Sequence, residues 1–123
     1  MRVLTLLAAA LLLGGASAAA AQVPGRTPET LRSLHLAGRN VLGILQYCQA
    51  QGHIGPDAAE AQRNLLRGVP PADVPNADEA EEAGRRGIVA FLDSRVPVEA
   101  VALAEGILVG TRCRGMALSL GVP

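Results

Sequence analysis

Few side chains in this chain have chemistry to offer: two cysteines, Cys48 and Cys113, two histidines, His35 and His53, and scattered serines. The cysteines lack C-x-x-C spacing, and two cysteines with two distant histidines do not make a zinc pattern. Their simplest joint chemistry is a disulfide, Cys48–Cys113, provided the chain reaches an oxidising compartment. His53 and Asp57 are near in sequence. A Ser/His/Asp reading is conceivable with Ser33, Ser94 or Ser119, but no nucleophile elbow or other positioning motif supports it. No catalytic, cofactor-binding or metal-ligating set is expected, and the chain does not read as an enzyme.

The compartment is written at the N-terminus. Arg2 precedes an apolar run, Val3 to Leu13, interrupted only by Thr5, and a small-residue tract follows to Ala21. That is the pattern of a secretory signal peptide over 1–21, cleaved near Ala21, and its apolar run is shorter than the ~20 residues of a membrane span. Residues 22–27 read as a flexible leader and 28–120 as one domain. A periplasmic or secreted location follows, and with it the expectation of a bonded cysteine pair.

Composition narrows the function further. The 123-residue chain has 11 basic and 11 acidic residues, and all of its cations are arginines. Near-neutrality argues against a nucleic-acid partner. With no tryptophan, one tyrosine (Tyr47) and one phenylalanine (Phe91), stacking platforms for bases or sugars are scarce. Gly84-Arg85-Arg86-Gly87 has the letters of an RNA-binding G-x-x-G loop but lies in an acidic-led helical stretch without flanking strands.

The elements that must position the cysteines read as helices. Thr27-Pro28-Glu29 opens a helix over 28–51 by a capping hydroxyl, a proline at the first position and an acid in the first turn. Its stripe Leu31, Leu34, Gly38, Val41, Leu45, Cys48 alternates spacings of three and four, with Arg32, Arg39, Asn40 and Gln46 off the stripe. Gly52 is its stop. A second helix is predicted over 56–67, then a proline-rich loop over 69–75. A third, over 77–93, starts with capping-box spacing at Asn76 and Glu79 and pairs Glu81 with Arg85 and Glu82 with Arg86. It carries Ala80, Gly84, Gly87, Ile88 and Phe91 on its apolar side. A fourth, over 97–118, presents Ala102, Gly106, Val109, Cys113 and Met116. No segment alternates with period two, so no sheet is predicted.

A bridge requires Cα atoms within about 7 Å. Cys113 would sit late in the fourth helix, as Cys48 does in the first. A plain up-down-up-down bundle therefore cannot close the bridge. The two helices are expected to run parallel or to cross with their C-terminal ends together. Parallel pairing would set Gly38 near Ala102 and Val41 near Gly106. Gly38, Ala102, Gly106 and Gly110 are thus candidates for close helix packing. Gly106 and Gly110 also spell G-x-x-x-G, a membrane-pairing motif in apolar helices. Glu99, Glu105, Arg112 and Arg114 interrupt it and argue against membrane insertion.

The segment Tyr47-Cys48-Gln49-Ala50-Gln51-Gly52, the later Ala83-Gly84-Arg85-Arg86-Gly87 and the distant Cys113 resemble a family of small exported Gram-negative proteins of unassigned activity. Some of these are labelled pore-forming by analogy with WXG-type secreted hairpins. This chain has no tryptophan and hence no W-x-G. A fainter likeness is to acid-activated periplasmic chaperones, with Asp78, Glu79, Glu81 and Glu82 as acid-responsive groups. The reading is an all-α, four-helix, single-disulfide exported protein that binds rather than catalyses. The first resemblance implies a membrane-active or pore-associated alternative, and the second an acid-responsive chaperone-like one. A protein partner or a second copy of the chain stays open.

Overall fold

A computed structural model describes residues 27–69 and 74–123. The expected signal peptide, most of the leader and the centre of the proline-rich loop lie outside the described residues. Among the described residues the fold is mostly helical, with five helices and one small two-stranded sheet. In chain order these are α1 (Pro28–Ala50), α2 (Asp57–Arg67), α3 (Ala77–Arg85), β1 (Ile88–Phe91), β2 (Ser94–Pro97), α4 (Val98–Ala104) and α5 (Val109–Ser119).

α1 is the axis. The Thr27 hydroxyl accepts from the Thr30 amide at 3.1 Å. At the far end Gly52 takes φ +80°, and the His53 amide donates to Cys48 O while the Gly52 amide donates to Gln49 O. These paired bonds satisfy carbonyls that the helix end would otherwise leave open. Both ends agree with the sequence reading.

The core is small and split between two faces of α1. Leu42 and Leu45 pack with Ala58, Ala59 and Ala117. Ile44 and Cys48 pack with Val98 and Cys113. Cys48 and Cys113 are bonded, with their Cα atoms 5.7 Å apart, and both are fully buried. The bridge spans a sequence separation of 65, which in the chain-entropy picture is worth about 4 kcal/mol.

Two predicted helices are interrupted, each for a local reason. The one expected over 77–93 ends at Arg85, because Gly87 takes φ +76° and turns the chain into a hairpin. β1 and β2 pair antiparallel with Val89 opposite Val96 and Ala90 opposite Arg95. The helix expected over 97–118 breaks into α4 and α5 at Gly106, φ +74°. There the Ile107 amide donates to Ala102 O and the Gly106 amide to Leu103 O, the same end-of-helix motif as at Gly52. A Cβ on Gly106 would meet nothing within 4 Å, so Gly106 ends a helix and packs against nothing. Cys113 consequently lies near the start of a short helix. Residues beyond it, Met116, Ala117 and Leu120, join the cluster of Leu42 and Leu45. α5 thus runs back toward the N-terminal part of α1, and both expected arrangements, a parallel pairing and a crossing with C-terminal ends together, are replaced.

The other candidate packing glycines find different partners. A Cβ on Gly38 would lie 2.6 Å from Leu66 Cδ2 of α2, and one on Gly110 would lie 2.9 Å from His53 Nδ1. Ala102 is buried. The tightest crossing is one the spacing did not reveal, α1 on α3. A Cβ on Gly84 would fall 2.7 Å from Ile44 N and 2.8 Å from Gly43 Cα, and one on Gly43 would fall 2.8 Å from Arg85 N. Backbone meets backbone here, and only glycine fits.

Candidate functional site

α3 and the hairpin are held on α1 by side chains read as lying off its apolar stripe. Asn40, buried, donates from Nδ2 to Ala80 O and Ile88 O, both at 3.0 Å. Its Oδ1 accepts from the Ala90 amide at 3.0 Å. The Asn40 amide thus occupies the outer edge of β1 as a neighbouring strand would. Arg39 donates to Glu81 at 2.7 Å and to Asp78 at 2.6 Å. Arg85 donates to Glu81 at 2.9 Å, to Glu82 at 2.7 Å and to Gln46 at 2.9 Å. The Glu81–Arg85 pair is as expected, whereas Glu82 pairs with Arg85 rather than Arg86. Burial opposes the charge of Glu81, but hydrogen bonds from Arg85 and Arg39 outweigh it and hold its carboxyl below the ordinary value.

Asn76 differs from its predicted role. It takes φ +67° and makes no side-chain cap bond. In that left-handed conformation it is its carbonyl that serves α3, accepting from the Ala80 amide at 3.0 Å.

The histidines and serines do not converge. His35 is buried, and neither ring nitrogen has a hydrogen-bond partner. Burial, seconded by the Arg39 charge, lowers its pKa. His53 lies against Gly110. Ser119 donates to Met116 O at the end of α5, and Ser94 is exposed in β2. Among the described residues, no cluster of three or more His, Cys, Asp or Glu side chains is placed to hold a metal ion. Two segments that carried the family resemblance do meet: a Cβ on Gly87 would lie 2.9 Å from the Tyr47 ring. The Tyr47 hydroxyl donates to the Glu99 carboxylate, and that bond, with burial, raises the tyrosine pKa.

The clamped hairpin leaves a groove of about 220 Å³ between α1, the start of α3 and the hairpin. Leu36, Ala37, Ala80 and Ala90 line it with apolar surface, Phe91 and Leu92 stand at one side, and Glu79 and Arg95 supply charge. Leu92 is 80 % exposed and Phe91 63 %. Phe91, expected on the inner face of a helix, is instead the last residue of β1. Leu92 opens the two-residue turn and takes φ +53°, where glycine, asparagine or aspartate is usual. A bulky residue held in that region costs on the order of 1–3 kcal/mol. The hairpin therefore displays a large apolar side chain at a conformational cost.

A second apolar surface lies at the α4–α5 elbow. Leu103 and Leu108 are exposed there beside the Glu105–Arg112 ion pair. Among the described residues, no helix is long and apolar enough to cross a membrane.

Sequence reasoning did not find the groove, because it is assembled from three separate segments. One signal was present: the apolar pair Phe91-Leu92 is followed at once by Asp93-Ser94, which interrupts the helical frame. No family model, curated protein or solved structure matches the chain.

Proposed function

We propose that this is an exported, non-catalytic binding protein and that the groove beside the hairpin tip is its binding face. The observation that carries the reading is Leu92, exposed and held at positive φ next to a preformed apolar groove. At about 220 Å³, the groove is smaller than the roughly 300–1,000 Å³ of small-molecule sites. It suits one apolar side chain presented by a protein. The test is site-specific photo-crosslinking in the producing cell, with a benzophenone amino acid replacing Leu92. A discrete protein adduct is expected, lost when Ala80→Phe fills the groove floor. Adducts no stronger than those from the same probe at exposed Arg63 would refute the assignment.

A second reading, a membrane-active protein, draws support from the exposed Leu103 and Leu108 at the elbow. It predicts dye release from anionic lipid vesicles by the oxidised protein, abolished by Leu103→Ser with Leu108→Ser. Intact vesicles at micromolar protein would dismiss it.

A further inference from the structure

We propose that the groove takes Leu92 of a second copy of the chain. Two copies exchange hairpin tips about a two-fold axis, with Glu79 of each facing Arg95 of the other. The inference rests on the groove being the binding face and adds the identity of what fills it.

Three observations point to a second copy rather than an unrelated protein. First, plug and socket lie on one face. Leu92 is among the residues lining the groove yet is 80 % exposed, so its own groove does not bury it. A two-fold interface requires such an arrangement, since one patch must supply both halves of each contact. Second, the charges are self-complementary. Glu79 and Arg95 both border the groove, and neither forms an ion pair among the described residues. A two-fold operation turns one acid and one base into two cross-copy pairs, which fix register and disfavour other partners. Third, the plug is pre-organised. The two-residue turn holds Leu92 at φ +53°, so little ordering entropy is lost when it docks. With one side chain per groove, the dimer is expected to be weak and reversible.

The alternative of pairing through the free edge of β2 is disfavoured by the same residues. The Ala90 amide and Ile88 carbonyl face Asn40, so in the alternation of an antiparallel pair Arg95 points its backbone groups away from β1. Two β2 edges paired about Arg95 would set two guanidinium groups opposite each other.

The test is sedimentation equilibrium of the full exported, oxidised protein from micromolar to millimolar concentration. A monomer–dimer equilibrium is expected. Leu92→Gly should abolish it without lowering the melting temperature, because glycine accepts the positive φ. Glu79→Arg alone and Arg95→Glu alone should each weaken the dimer by roughly tenfold or more. Mixing these two variants should restore association as a heterodimer, since each cross-copy contact then pairs opposite charges. A chain monomeric at every concentration would overturn the inference. So would a dimer indifferent to Leu92→Gly, or charge variants that fail to recover on mixing. If the chain stays monomeric while the probe at position 92 still captures a different protein, self-association is wrong and the binding face stands. If neither association nor a groove-dependent adduct is found, both fall.

Discussion

The α1–α3 crossing and the α4–α5 elbow both turn on glycines, and the glycines do opposite things. At the crossing, Gly43 and Gly84 bring two backbones into contact, with no room for a methyl group on either side. At the elbow, Gly106 has empty space around it and is needed only for its left-handed φ. The two regions are also held on α1 differently. α3 is fastened by backbone contact, the Asn40 amide and the Arg39–Glu81–Arg85 network. α5 is fastened by one disulfide and a few small core residues. A glycine inside an apolar helical frame therefore has two readings, close approach or helix end.

The largest effect should come from the covalent seam. Cys48→Ala with Cys113→Ala should lower unfolding free energy by about 4 kcal/mol, read from urea midpoints. Hydrogen exchange sharpens the comparison: α5 amides should lose protection in the variant well before the Ala90 amide held by Asn40. Equal loss at both places would show that crossing and seam are one cooperative unit.

Next comes Gly84→Ala. A Cβ there meets Asn40 O, Ile44 N and Gly43 Cα, all backbone atoms with no flexible side chain to yield. The helices must separate, and the Asn40 clamp and the ion pairs loosen with them. A cost of about 3 kcal/mol is expected, at the upper end of overpacking effects. A variant as stable as the parent would mean that α3 does not cross α1 at this glycine.

Legibility in the sequence tracks how local each rule is. The start of α1 at Thr27-Pro28 and its stop at Gly52 depend on adjacent residues. The disulfide follows from an export pattern and a cysteine count. The hairpin was not legible. Its strands have four residues each, its turn uses leucine where glycine is usual, and the partner of its outer edge is Asn40, fifty residues away. Asn40 falls off the predicted stripe because helical periodicity identifies one stripe, while α1 packs on two sides. The groove needed all three segments in place and so inherited every one of these misses.

Acid should act on the crossing. The folded state holds Glu81 below its ordinary pKa, so its contribution is complete above the unfolded value of about 4.3 and is lost as pH falls below it. His35 is also lowered by burial. It favours the folded state when neutral, and stability therefore starts to fall as pH drops below about 6.5. Melting temperature should decline in two steps on acidification. Glu81→Gln should flatten the lower step and His35→Leu the upper one. A melting temperature constant from pH 7 to about pH 5 would contradict the burial of His35, and one that stays constant as pH falls from about 4.3 to about 2 would contradict the pairing of Glu81.

The smallest effect is the most discriminating between the two glycine roles. Gly106→Ala puts a methyl group into open space, so packing predicts no penalty at all. The backbone does predict one, because an L residue at φ +74° is disfavoured by about 1 kcal/mol. Gly106→Asn should cost less than Gly106→Ala, since asparagine tolerates the left-handed region. Were Gly106 instead a packing glycine, the order would reverse: alanine, the smaller side chain, would be tolerated better than asparagine. Thermal melts of the two oxidised variants therefore separate helix end from helix contact by rank alone. Alanine should rank below asparagine at position 106, and the opposite order would rejoin α4 and α5 into one packed helix.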